Sequence, residues 1–340
     1  AFIGVFAIIP RFEGGGISHI NCFKITNALD SVPSDAQVIY AEGFPADKDL
    51  YDDTLAAEAL KAAGEADKVV IFAGLPDSFE SEGYDRSHMR LPDCQNRLIA
   101  EILKVQPNAV IVLHNGSPVE MPWLNDVKGL LEAYLGGQAG GAAVANILYG
   151  KVNPSGKLAE TMPLKLSDNP SYLNFGGGEK VEYREGVFVG YRYYDTKEMD
   201  VSYPFGYGLS YTTFAYSNLN ISNGNPTEKD TISVSVDVTN TGDMAGKEVV
   251  QLYVKDCTNS AIRPEKELKG FEKVTLDPGE TKTVTMELDK RSFAWYNTDL
   301  HDWFAASGEY KLLIGASSRD IRLEGKIQLN SSQEIPMHVH

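Results

Sequence analysis

Cysteine and histidine are scarce in this chain, which holds three of the first and six of the second among 340 residues. Cys22, Cys94 and Cys257 lie far apart in sequence. An odd, widely spaced set builds neither a disulfide framework nor a zinc site. It fits a reducing compartment, so a cytoplasmic location is the expectation. No H-E-x-x-H or C-x-x-C occurs and the histidines are scattered, so no metal and no cofactor is expected. His338 and His340 are read as incidental. G-x-S-x-G is absent too, which removes the nucleophile elbow of serine hydrolases. No run of about 18 apolar residues is present, so no membrane-spanning helix is expected. A charged-then-apolar leader is also missing. The chain instead opens on AFIGVFAII, a strand already under way, and we expect natural sequence upstream of it. Positive charge is in short supply: 31 Lys and Arg stand against 47 Asp and Glu, a formal net charge of −16. Such a surface repels phosphate backbones and anionic lipid, so neither nucleic acid nor a membrane is an expected partner, while neutral substrates are unaffected.

What is present is enough apolar residue for two cores of ordinary size, 43% of the chain. Over 1–165 the pattern alternates. AFIGVFA, AQVIYAEGF, KVVIFAGL, NAVIVLHNG and GLLEAYLGG read as buried strands, continuous and rich in β-branched residues. DDTLAAEALKAAGEA, CQNRLIAEILKVQ and GQAGGAAVANILYG carry apolar residues at helical spacing between them. Strand and helix in alternation predict an α/β sandwich, a mostly parallel sheet with helices on both faces. Ligands of such sheets bind outside the carboxyl ends of the strands. Residues 166–213 are rich in Gly, Tyr and Pro, and their eleven aromatics are too many for a disordered linker. They read as a long connection packed on the first domain. Over 214–340 the period becomes two, as in DTISVSVDVTNTG, KEVVQLYVKD and KTVTMELD, with turns at NTG, DPGE and SGE. That predicts an antiparallel β-sandwich. Tyr191, Tyr193 and Tyr194 are expected in a core or between domains, and Trp295, Tyr296 and Trp303 at a packed edge.

Three loops carry chemistry-bearing residues. PRFEGGGISHIN follows the first strand, but GGG does not have the spacing of a dinucleotide fingerprint. It reads as a glycine loop that brings backbone close to something, with Ser18 and His19 facing a ligand or capping the loop. His114 ends the fourth strand and reads as a satisfied strand-end histidine. FESEGYDR follows the third strand. Gly83 is expected to turn the backbone so that Glu82 projects freely. A general acid near neutral pH needs a carboxyl whose pKa is raised by burial or by a neighbouring carboxylate, and Glu80 and Asp85 are near in sequence. Arg86 is expected to pair with Asp85 and fix the loop. From the residues alone, a solvated loop held by one Asp–Arg pair stands beside the general-acid reading.

SEGYDR at 81–86, VLHNGSPVEMPW at 112–123, YLGGQAGGAAVANILYGKVNPSGKLAETMP at 134–163, YREGVFVGYRYYD at 183–195, YPFGYGLSYTTF at 203–214 and ELKGFEKVTLDPGET at 267–281 resemble the β-glucosidase-like members of glycoside hydrolase family 3. The six segments run collinearly over nearly the whole chain. The resemblance implies an α/β-sandwich domain followed by an all-β fibronectin type III-like domain. It also implies retaining hydrolysis of β-linked glucosides or oligosaccharides, with the acid/base glutamate at Glu82. Ser18, His19 and the Gly14–Gly16 loop would border the sugar pocket, Tyr84 would stack or pack, and Asp85 and Arg86 would support the loop. The family's nucleophile sits on a (β/α)8 barrel, which this sequence lacks, so the barrel is expected from missing sequence or another chain. PRFEGGGISHIN resembles the subgroup in which the barrel follows, which would put it beyond His340. The turn LGGQAGG departs from the family's Pro-Gly-Gln pattern, with little expected effect. The alternative is a non-catalytic carbohydrate-binding or scaffolding protein on the same domains.

Overall fold

A computed structural model describes residues 1–176 and 178–334; His338 and His340 lie outside the described residues. The chain divides into two compact units, Ala1–Val152 with Leu164–Asp168, and Asn153–Pro163 with Asn169–His340.

In the first unit the five apolar runs become five strands: β1 Phe2–Ile3, β2 Tyr40–Ala41, β3 Val70–Gly74, β4 Val110–His114 and β5 Gly129–Glu132. They pair in parallel, in the order β2-β1-β3-β4-β5. Ile71, Phe72, Ala73, Ile111, Val112 and Leu113 are fully buried, which is why β3 and β4 read as unbroken apolar runs. The three helical patterns become α1 Asp53–Glu65, α2 Asp93–Val105 and α3 Gly140–Leu148. Asp52 caps α1 by accepting from Thr54 and Leu55 N–H. Asp49, from outside its helix, does the same for α2 at Asp93 and Cys94, 2.9 and 2.8 Å away. The strand order reverses between β1 and β3. In an open parallel sheet the loops leaving such a pair diverge and leave a crevice at their carboxyl ends.

The second unit begins with an antiparallel pair, β6 Met162–Pro163 and β7 Val201–Tyr203, separated in sequence by a one-turn helix, α4 Tyr191–Tyr194. Most of the 166–213 connection thus belongs to this unit rather than to the first. Its aromatics explain why: the Tyr191 ring stacks on Phe205 at 4.7 Å and meets Tyr253 edge-on, and Asp195 pairs with Arg319 at 2.7 Å. Two sheets follow. One holds β8 Phe214–Ile221, β9 Ile232–Asn240 and β12 Thr281–Leu288. The other holds β10 Gly246–Asp256, β11 Glu267–Leu276, β15 Gly308–Gly315 and β16 Ile321–Leu329. Burial along β9 alternates at every residue, and its inward valines, Val234, Val236 and Val238, share a core with Leu252, Leu288, Leu312 and Ile314. A short helix α5 Lys290–Phe293 leads into the hairpin of β13 Trp295–Asn297 and β14 Asp302–Phe304. There Trp295 packs on Phe304, and Tyr296 on Trp303. The fold is the expected α/β sandwich followed by an all-β fibronectin type III-like domain. Among the described residues, no helix is long and apolar enough to cross a membrane.

Leu252 is fully buried among both sheets of the second unit. Leu252→Ala is expected to cost about 3 kcal/mol through lost burial and a residual cavity, read as a lower urea midpoint.

Candidate active site

The loop that leaves β3 starts from a fixed point. Gln95 on α2 is buried and bonds both backbone groups of Gly74, accepting from its N–H at 2.9 Å and donating to its carbonyl at 3.0 Å. The loop after β1 comes alongside it, and Arg11 joins the two. Its buried guanidinium donates to the carbonyls of Leu75 (2.8 Å), Glu80 (3.1 Å) and Glu13 (3.1 Å), and pairs with Asp77 at 2.7 Å. Backbone then meets backbone. Gly15 and Ser81 form a parallel bridge, and Glu82 N–H donates to the Gly15 carbonyl at 3.2 Å. These loops belong to β1 and β3, so they meet where the strand order reverses.

Glu82 is exposed at this meeting point, and its Oε2 accepts from Ile17 N–H at 3.0 Å. Among the described residues it makes no ion pair and lines neither hollow at this end of the sheet. The glycine that its position requires is Gly16, not Gly83. Gly16 has φ +99°, and a Cβ there would lie 3.1 Å from the Cβ of Glu82. Gly83 lacks a positive φ and has open space around it. The turn is therefore made opposite Glu82 rather than beside it.

The expected Asp85–Arg86 pair does not form. Arg86 Nη1 donates to Ser117 Oγ at 2.7 Å and to the Pro118 carbonyl at 3.1 Å, while Asp85 stays exposed. A half-buried guanidinium gains more from fixed acceptors in the β4 loop than from a solvated carboxylate. Burial pushes the Arg86 guanidinium down, opposed by Glu80 and Glu120, and its Nη2 is buried without a hydrogen-bond partner. Glu80 is no free neighbour of Glu82 either. Its carboxylate accepts from Gly116 N–H at 2.7 Å and from the Ser117 hydroxyl.

Tyr84 is half exposed and its hydroxyl donates to the Asp77 carbonyl. Ser18 Oγ donates to the Gly14 carbonyl at 2.9 Å, closing its own loop. His19 pairs through Nδ1 with Glu13 Oε1, while Glu13 Oε2 accepts from Ile20 N–H at 2.8 Å. Burial pushes the Glu13 carboxyl up, but the Ile20 N–H and His19 outweigh it and hold its pKa below the ordinary value. The structure thus brings Glu82 against the Gly14–Gly16 loop. His19 lines one hollow of about 260 Å³ with Arg11, Glu13 and Asp77, and Tyr84, Asp85 and Arg86 line a second of about 260 Å³. Arg11 and Glu13 were missed by sequence reasoning. Their one signal is an Arg-x-Glu just ahead of the glycines.

His114 is buried between the rings of Phe6 and Phe72, and its Nε2 has no partner. Burial alone pulls its pKa down to about 4, so it is neutral near neutral pH and an unfit base there. It is not the satisfied histidine expected from its place at a strand end.

An open parallel sheet with an ionisable loop pair at its switch point, followed by a seven-stranded sandwich in two sheets, defines a class of two-domain α/β plus all-β protein. The glycosyl hydrolase family 3 C-terminal domain matches residues 1–211, and the fibronectin type III-like domain matches residues 248–318. The chain belongs to glycosyl hydrolase family 3. It is 56% identical over 340 residues to thermostable β-glucosidase B of Acetivibrio thermocellus, covering 98% of this chain and 45% of that protein. It is 46% identical to an exo-α-(1→6)-L-arabinopyranosidase of Bifidobacterium breve, covering 94% of this chain and 42% of that protein. The crystal structure of a family 3 β-glucosidase of Bifidobacterium adolescentis superposes with a TM-score of 0.94 at 45% identity, over 99% of this chain and 50% of that one. The chain spans half or less of the length of each of these relatives.

Two outcomes are expected. Gly16→Ala should destabilise the first unit by about 1 kcal/mol or more through strain at positive φ, while Gly83→Ala should stay within about 0.5 kcal/mol; urea unfolding reads both. An unfolded histidine titrates near 6.5 and native His114 near 4. Between those values the unfolded chain binds the extra proton, so this group's contribution is intact above the upper value and stability falls as pH drops through the window. The loss approaches about 3 kcal/mol near pH 4. His114→Phe should flatten that part of the pH dependence.

Proposed function

We propose that this chain is the acid/base-bearing portion of a retaining β-glucosidase that releases terminal β-linked glucose from glucosides or oligosaccharides. The observation that carries the reading is the position of Glu82: an exposed carboxylate, in no ion pair among the described residues, braced on the Gly15–Ile17 backbone at the switch point of the sheet. A proton donor for a glycosidic oxygen needs that combination of fixed backbone and free carboxyl. The retaining reaction needs a second carboxyl about 5 to 5.5 Å away. Glu80 is tied to Gly116 and Ser117 and Glu13 to His19 and Ile20, so neither of these carboxylates is free for that role. The nucleophile would come from a (β/α)8 barrel encoded by sequence outside this chain or supplied by another chain. By itself this chain would be inactive.

In the first step the barrel carboxylate attacks the anomeric carbon while Glu82 gives its proton to the departing oxygen. In the second, the Glu82 carboxylate takes a proton from water as that water displaces the barrel carboxylate, and the sugar leaves with its original configuration. The proton must reside on Glu82 before the first step. Burial or a nearby carboxylate promotes that, and the barrel would bring both. Ser18 and His19 would border the sugar, and Tyr84, Asp85 and Arg86 would line or support the loop. Glucose is the sugar favoured by the relatives named β-glucosidase.

In the complete enzyme, Glu82→Ala should lower kcat/KM for cellobiose by about 10²- to 10⁴-fold. Azide should speed turnover of an activated aryl glucoside by this variant and yield the β-glucosyl azide. Unchanged cleavage of cellobiose by Glu82→Ala would sink the assignment.

A further inference from the structure

We propose that Glu80 is the positioning residue of the acid/base loop, a strut that fixes where Glu82 can stand; this rests on the assignment of Glu82 as the acid/base. Glu80 lies two residues before Glu82, and all of its polar groups are engaged. Its N–H donates to the Pro76 carbonyl at 3.2 Å, and its carbonyl accepts from Arg11 at 3.1 Å. Its carboxylate spans to the next loop of the sheet, accepting from Gly116 N–H at 2.7 Å and from Ser117 Oγ. Ser117 Oγ in turn accepts from Arg86 at 2.7 Å. Arg86 follows Glu82 by four residues, so one hydroxyl of the β4 loop holds the segment on both sides of Glu82.

The fit is close. A Cβ at Gly116 would lie 3.2 Å from the Glu80 carboxyl carbon and both its oxygens, so a larger residue there must displace the strut. Side-chain exposure at Glu80 is 17%, low enough that an acceptor removed from Gly116 and Ser117 leaves two donors poorly served. Among the described residues, the hydrogen bonds of Glu82 run to the Gly15–Ile17 loop. Without the strut, the segment keeps the Pro76, Arg11 and Gly15 bonds to its backbone but loses its side-chain tie to the β4 loop. A displacement of about 1 Å at a reacting group can cost about 10²-fold in rate.

Proton donation matters most when the leaving group is poor, and this separates positioning from simple loss of folded protein. In the complete enzyme, kcat/KM would be measured for cellobiose and for dinitrophenyl glucoside with Glu80→Ala, Ser117→Ala and Glu82→Ala. Glu80→Ala is expected to lose about 10²-fold on cellobiose and no more than about threefold on dinitrophenyl glucoside, whose leaving group departs unprotonated. Ser117→Ala removes only a hydroxyl and keeps the test alive if Glu80→Ala does not fold. It should show the same selectivity at about tenfold. Equal losses on both substrates, or none on either, would overturn the proposal. Selective loss in Glu82→Ala with equal losses in the other two refutes the strut alone. No selectivity in Glu82→Ala refutes the acid/base assignment and the strut with it.

Discussion

The backbone bridge between Gly15 and Ser81 is the contact on which the site depends. It joins loops from β1 and β3, strands that are neighbours in the sheet but separated by some sixty residues of chain. The bridge exists because β2 pairs on the outer side of β1, so the strand order turns back at that place and two loops leave the sheet side by side. Arg11 reinforces the same junction from beneath, through carbonyls of both loops. A carboxylate placed two residues away on a mobile loop would sample many positions. Attached to this junction, Glu82 has its backbone fixed while its carboxyl group stays open to solvent.

The fold was legible because burial dictates it. β3 and β4 are buried along their length and so had to be unbroken apolar runs, and β9, half-buried on one face, had to alternate. The site was legible only in part. Sequence spacing located the loop of Glu82 but misjudged what holds it. Asp85 and Arg86 are adjacent, yet adjacent residues rarely face each other, and the guanidinium turns to Ser117 and Pro118 instead. The turning glycine was sought next to Glu82, whereas the constraint is tertiary and falls on Gly16, which must clear the side chain of Glu82. Contacts between loops far apart in sequence leave no periodicity, so Arg11 showed only as an Arg-x-Glu ahead of the glycines and the Glu80–Gly116 bond had no signature of its own.

His114 shows the same limit in another form. Its place at the end of β4 suggested a polar partner, and its Nε2 has none. Two aromatic rings surround it, and neutrality is the consequence. The Glu82 carboxyl, by contrast, is exposed and accepts from the Ile17 backbone N–H.

A free-standing sugar-binding protein needs a concave site of its own. The two hollows described at this end of the sheet are about 260 Å³ each, at the lower edge of the range of about 300 Å³ and upward in which small ligands are enclosed. Beside them the loop after the glycines presents Ile17, Ile20 and Phe23 to solvent, the last 99% exposed. Large apolar side chains grouped at a crevice mark a surface meant to be covered. The same covering would desolvate Glu82, the condition under which a carboxyl keeps its proton long enough to donate it. On the proposed reading the exposed isoleucines and the exposed glutamate are one feature: a half-site whose electrostatics are completed only when the barrel supplied from outside this chain closes over it.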